Sequence, residues 1–167
     1  AEVLKLQNPS GDPLESSPAY RVWNRGKKSV ALDLGEPEAQ RVALKLAGDA
    51  DVFLESFRPG VAERLGLGYS SVKDFNPGII YCSISGYGRT GPMADKPGYD
   101  LIIQAYSGLM NLTGEPDGSP LRVGFSLVDL FTGMMAYGSI LTALRHREKT
   151  GEGQWIDTSL LDGQGAT

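Results

Sequence analysis

The 167-residue chain has one cysteine, Cys82, and one histidine, His146. One cysteine excludes a disulfide within these residues, and one of each excludes a zinc site built from Cys and His. No metal site is therefore expected. Positive charge is also short: sixteen Lys and Arg stand against twenty Asp and Glu, a formal charge of -4. That balance argues against a broad surface for nucleic acid while leaving room for a smaller phosphate ligand. No window approaches the roughly 18 uninterrupted apolar residues of a membrane span, so no membrane partner is expected. The opening AEVLKLQNPSGDP has no basic stretch followed by an apolar one, unlike a secretory signal. The cysteine usage points to a reducing compartment, where the Asn111-Leu112-Thr113 sequon carries no meaning.

What is present is the composition of a soluble globular domain, 41% hydrophobic and 22% charged, in a chain long enough for one substantial core. Residues 3–6 read as a strand, 8–18 as a Pro, Gly and Ser loop, and SVALDL as a second strand. Pro37 with acidic neighbours opens a helix over 39–47 that Gly48 closes. DVFLES is expected to be a short buried strand, RPGVAERLGLG a turn and short helix, and GIIYCSIS the clearest strand. Irregular chain at 90–97 precedes a helix over 99–110, and a long helix runs from about 130 to 149 with Gly151 as its stop. His146, among basic residues at that helix's end, reads as an exposed capping residue. Strands and helices alternating at these distances predict an α/β fold: an open, mainly parallel sheet with crossover helices.

Gly86-Tyr87-Gly88-Arg89-Thr90-Gly91 matches a dinucleotide-binding pattern, but Pro92 and Pro97 follow where that motif needs a helix. The glycines instead suit close approach to a ligand or another backbone. Three carboxylates compete for a chemical role. Asp157 is expected to N-cap the last helix, and Asp162 to lie on that helix's polar side. Asp129, the single charge in VGFSLVDLFTGMM, has two readings. It is either a helix cap, or a reactive carboxylate held ionised by helix amides and backed by Gly133 and Gly138, which would permit close packing.

Five blocks in order, NRGKKSVALDL, DVFLESFRPGVAERLGLGY, IIYCSISGYGRTGP, PGYDLIIQAYSGLMNLTGEP and VDLFTGMMAYGSILTALRHREKTGEGQWIDTSLLD, resemble the class III CoA-transferases. This CaiB/BaiF family includes formyl-CoA transferase, carnitine CoA-transferase and α-methylacyl-CoA racemase. The resemblance implies a Rossmann-like fold, with residues 1–167 forming part of the large domain. The family's opening βα unit, small domain and C-terminal segment are absent from these residues. It also implies an acyl-CoA and a carboxylic acid as substrates, no permanently bound cofactor, and an interlocked homodimer in the full-length protein. A cytoplasmic location is expected, or a mitochondrial or peroxisomal one in a eukaryote.

By position, the resemblance makes Asp129 the catalytic carboxylate, passing through an anhydride and an aspartyl-CoA thioester. It places Leu32, Ser56, Phe57, Arg64 and Leu65 around CoA, and Arg64 suits a phosphate through its fork of donors, although a solvated helix arginine reads the same way. Tyr99, Asp100, Gly86, Tyr87 and Gly88 fall to the acyl pocket or its support. Two positions depart from the family: Ser56 stands where many members have Asn, and Gly35 where formyl-CoA transferase has a lysine, leaving Lys27 or Lys28 as substitutes. Racemases carry a histidine where this chain has Tyr99, and racemisation needs an acid and a base on opposite faces of the α-carbon. Alternative readings are a racemase-type isomerase and an inactive CoA-binding or partner-binding module.

Overall fold

The structure, a computed structural model, describes residues 1–165. The chain forms two compact units, Ala1–Leu46 and Ala47–Thr167. In the first, β1 (Leu4–Gln7) pairs in parallel with β2 (Lys28–Ala31), and α1 (Pro18–Trp23) lies between them in sequence. β2 ends before Asp33, whose carboxylate accepts the Gly35 amide at 3.0 Å in a tight turn. α2 (Pro37–Gly48) then carries the chain into the second unit.

The second unit is a three-stranded parallel sheet in the order β3 (Val52–Glu55), β4 (Ile80–Ser85), β5 (Gln154–Ser159). Two short helices, α3 (Val61–Arg64) and α4 (Tyr69–Phe75), connect β3 to β4. Between β4 and β5 come α5 (Asp100–Tyr106), α6 (Leu109–Leu112) and α7 (Leu127–Thr150), and α8 (Leu160–Gly165) follows β5. Parallel strands linked through helices are the α/β pattern expected, divided here between two sheets.

β4 is the core of this unit. Ile79, Ile80, Tyr81 and Cys82 are fully buried, as a continuous apolar run in a parallel sheet covered on both faces should be. The Tyr81 hydroxyl donates to the Leu67 carbonyl at 2.9 Å, which satisfies the one polar atom of a buried ring. β3 departs from the expected buried strand. Among the described residues it pairs with β4 alone, at the edge of the sheet, and Leu54 is 56% exposed. The predicted 99–110 helix is two helices, because Gly108 at φ 85° breaks it. α4 was not legible; one buried residue, Val72, anchors it, and no apolar periodicity marks it.

α7 packs against β4, β5, α5 and α8 and ends at Gly151, in the left-handed conformation at φ 77°. Arg147 ties this end to the sheet by pairing with Asp51 at 2.7 Å and donating to the Gly78 carbonyl, whereas His146 is exposed. Leu130, Met134, Tyr137 and Leu141 form an exposed apolar stripe along the opposite side. By length and composition alone, α7 could cross a bilayer; its inner face is that of a core helix, with Val128, Thr132, Ala136 and Ala143 buried.

Burial pushes the Cys82 thiol up to about 11, with Glu55 and Asp157 adding in that direction. A thiol so placed carries almost no thiolate at neutral pH. Iodoacetamide at pH 8, read by peptide mass spectrometry, is expected to leave Cys82 unmodified in the native protein and to alkylate it after denaturation.

Candidate functional site

In a parallel sheet every strand delivers its C-terminal residues to one edge, and ligands of open α/β sheets bind there. Ser56 and Phe57 follow β3, Gly86, Tyr87 and Gly88 follow β4, and Ser159 closes β5. A short turn joins α7 to β5, so the helix runs antiparallel to the strand on which it packs. At roughly 1.5 Å per residue α7 is about 36 Å long, against about 20 Å for a six-residue strand. Its N-terminal turns, carrying Asp129, therefore lie at and beyond the same edge. Val128 there packs with Ile103 and Leu160, and Tyr87 closes against that cluster.

The head of α7 differs from both sequence readings of Asp129. The helix begins at Leu127, three residues earlier than expected, with Ser126 at the N-cap and no side-chain bond from it. Asp129 occupies the third helical position and is not the cap. The amides that a cap would satisfy donate instead to a carboxylate on α5: Asp100 Oδ2 accepts Val128 N–H at 2.8 Å and Asp129 N–H at 3.2 Å. Asp100 Oδ1 accepts from Gln104 Nε2 at 2.5 Å, and Gln104 Oε1 accepts Val123 N–H at 2.9 Å. Asp100 and Gln104 are both buried.

The Asp129 carboxylate is thus left without the helix amides that would hold it ionised. Partial desolvation, followed by the negative charge of Asp100, raises its pKa above the usual 3.8. It remains open to solvent, and so to a ligand. Gly133 and Gly138 do not back it with close packing among the described residues, since beyond the adjacent residues and the helix's own backbone no atom lies within 4 Å of where their Cβ atoms would stand. The tight contact falls at Gly163 of α8, where a Cβ would come within 2.3 Å of the buried Thr132 Oγ1.

The loop after β4 is fixed from two sides. Gly86 and Gly98 press backbone on backbone, and a Cβ on Gly86 would meet Gly98 Cα at 2.6 Å, the close approach that the glycines suggested. Gly88 N–H donates to Ser85 Oγ at 3.0 Å. Arg89, which sequence reasoning passed over, pairs with Glu63, stands 3.8 Å from the buried Glu55 and lies over the Trp155 ring at 5.1 Å. The lone cation in GYGRTG was the available signal.

Tyr99 precedes α5 as its N-cap residue, 57% exposed and making no side-chain cap bond. Asp157 lies within β5 and caps nothing; burial raises its pKa, with Arg89 opposing. The cap of α8 is Ser159, whose Oγ accepts Asp162 N–H at 3.0 Å and donates to Asp162 Oδ2 at 2.7 Å. Asp162 itself is exposed, as its polar-side placement required.

Among the residues assigned to CoA, Ser56 and Phe57 are exposed at the sheet edge. Arg64 ends α3 with Leu65 as its C-cap residue, and no carboxylate among the described residues pairs with Arg64, which leaves its guanidinium available to a phosphate. Leu32 follows β2 in the first unit, its amide donating to the Gln7 carbonyl. Of the two substitute lysines, Lys28 is engaged by Glu2, while Lys27 is exposed and unpaired among the described residues. Among the described residues no group of three or more His, Cys, Asp or Glu could hold a metal ion.

The chain belongs to CoA-transferase family III, whose sequence model matches residues 1–167. It is 44% identical to the succinyl-CoA:glutarate CoA-transferase of Mus musculus, across 98% of this chain and 40% of that protein. It is 49% identical to the acetyl-CoA:oxalate CoA-transferase of Acetobacter aceti, across 98% of this chain and 44% of that protein. The crystal structure of a CaiB/BaiF family protein from Brucella suis superposes with a TM-score of 0.96 at 39% identity, covering all of this chain and 48% of the other. The chain therefore spans less than half the length of these relatives.

An Asp129 carboxyl with a raised pKa binds its proton more tightly in the folded chain than in the unfolded one. Stability is then lost as pH rises from about 3.8 through the folded value, and the charged group is destabilising at neutral pH. Asp129→Asn is expected to denature at or above the wild-type urea midpoint at pH 7, an advantage that shrinks as pH is lowered toward 4. A lower midpoint at pH 7 would restore the capping reading.

Proposed function

We propose that the full-length protein is an acyl-CoA:carboxylate CoA-transferase in which Asp129 is the covalent nucleophile. The observation that carries this reading is the state of Asp129 at the carboxyl edge of the sheet. It is solvent-open, its pKa is raised, and its own amide donates to Asp100. A carboxylate stripped of donors is a better nucleophile than one bound to helix amides.

In the proposed cycle the Asp129 carboxylate attacks the donor thioester carbonyl, forming a mixed anhydride and releasing CoA thiolate. The thiolate attacks the aspartyl carbonyl, giving an aspartyl-CoA thioester and the free donor acid. The acceptor carboxylate then attacks that thioester to form a second anhydride, and the thiolate returns to the acceptor acyl carbon. Each intermediate stays activated, so the thioester's free energy reaches the product provided water is excluded. In this scheme Gly86, Tyr87 and Gly88 form one wall of the site, and Tyr99 and Asp100 line or support the acyl pocket. Arg64 takes a CoA phosphate beside Ser56, Phe57 and Leu65.

The names of the relatives support a short dicarboxylate as the acceptor, since glutarate and oxalate are both of that class. A racemase would need a proton-transfer group where Tyr99 stands, and a phenol is poorly matched to neutral pH. The assembly proposed is the interlocked homodimer, in which the partner or the remainder of the chain would cover the apolar stripe on α7. A single reduced cysteine supports a reducing compartment, the cytoplasm in the first instance.

The test is Asp129→Ala in the full-length protein, assayed with succinyl-CoA and glutarate or acetyl-CoA and oxalate. Transfer is expected to fall below detection while the Kd for CoA stays near wild type. Retained transfer refutes the reading, and lost CoA binding would make Asp129 a structural residue.

A further inference from the structure

We propose that Gln104 and Asp100 act as a positioning clamp that sets the attack geometry of Asp129; the proposal rests on Asp129 being the nucleophile. Residues 119–126, which lead into α7, have no regular structure, and their backbone bond to another element, Leu121 N–H to the Met110 carbonyl, lies six residues before the helix and does not set where it begins. Two buried side chains one turn apart on α5 do so. Gln104 is 1% exposed and spends its amide in both directions, accepting from Val123 N–H and donating to Asp100 Oδ1. Asp100 Oδ2 then takes the two amides of Val128 and Asp129. The chain is held on either side of the α7 start by one connected pair.

Stability alone does not call for this arrangement. Ser126 stands at the N-cap and makes no side-chain cap bond, although a serine there is among the residues best suited to satisfy those amides. A buried carboxylate has taken the place of that neutral local cap, and its charge works against the neighbouring Asp129. Like charges placed close together cost folding free energy, and such a cost is characteristic of a site arranged for chemistry. The clamp removes the helix amides from the nucleophile and fixes its backbone through Asp129 N–H. Displacing a reacting group by about 1 Å can cost 100-fold in rate, so the rigidity of this pair bears directly on the chemical step.

The hydrogen-bond pattern can be exchanged between the two residues. In the paired variant Asp100→Asn with Gln104→Glu, the new amide oxygen accepts the α7 amides and its nitrogen donates to the new carboxylate. The second oxygen of that carboxylate accepts Val123 N–H. Gln104→Glu alone instead sets two carboxylates face to face. The readout, in the full-length protein, is the single-turnover rate of hydroxamate formation at Asp129 with succinyl-CoA and hydroxylamine, by peptide mass spectrometry, beside the Kd for CoA.

Gln104→Glu is expected to slow labelling by about 10- to 100-fold at unchanged Kd, and the paired exchange to restore the larger part of the lost rate. A residue with a purely structural role would lower the melting temperature and weaken CoA binding together. A folded Gln104→Glu that labels at the wild-type rate overturns the clamp, as does a folded exchange variant that stays as slow as the single one. If the single variant does not fold, the exchange decides alone: wild-type-like labelling supports the clamp and slow labelling overturns it. If the wild type itself gives no hydroxamate at Asp129, the nucleophile reading has failed and the clamp falls with it.

Discussion

A long helix begins with amides that its own backbone cannot satisfy, and the way they are satisfied at the head of α7 governs the rest of the site. Here the acceptor is the Asp100 carboxylate, reaching across from α5 to Val128 and Asp129. A buried anion needs donors to remain buried, and the helix end provides two together with the positive end of its dipole. One bond set therefore stabilises Asp100, fixes where α7 starts and joins α5 to α7 beside the Ile103, Val128 and Leu160 cluster. It also leaves Asp129 exposed, next to a like charge and without its own amide. The surroundings of one carboxylate follow from the structural use of another.

The sheet does the remaining positioning. Because β3, β4 and β5 are parallel, the segments after β3 and β4, the start of α8 and the head of α7 converge on one edge. The Gly86 and Gly98 contact and the Arg89 pairs with Glu55 and Glu63 hold the loop after β4 against that edge. Arg89 reaches from this loop to β3, α3 and the Trp155 ring of β5, so the segments after β3 and β4 share one anchor.

Much of this was legible in the sequence where local pattern decides the outcome. The run around Ile80 marked β4, Pro37 and Gly48 bounded α2, and Gly151 closed α7, because these signals act within a few residues. Asp129 was singled out because a lone charge in an apolar stretch needs a reason. What stayed hidden depends on partners distant in sequence. The start of α7 could not be placed because its cap lies on Asp100, about thirty residues away, a separation that helix-capping rules do not span. Asp157 was misread because pairing with β4, more than seventy residues earlier, carries β5 through Asp157 to Ser159, the true cap. The exposure of Leu54 was hidden because burial of a strand residue depends on which distant segments pack on its face, and no short window contains that information.

The proposed function makes one chemical claim: the side chain of Asp129 becomes part of each intermediate. Oxygen bookkeeping tests this directly. In the proposed cycle the bridging oxygen of the second anhydride comes from the acceptor acid and stays on Asp129 when the thiolate leaves with the acyl group. Turnover of the full-length protein with acceptor labelled by ¹⁸O in its carboxylates, followed by peptide mass spectrometry, is predicted to show ¹⁸O in the Asp129 side chain and in no other carboxylate. Active turnover that leaves Asp129 unlabelled would contradict the account.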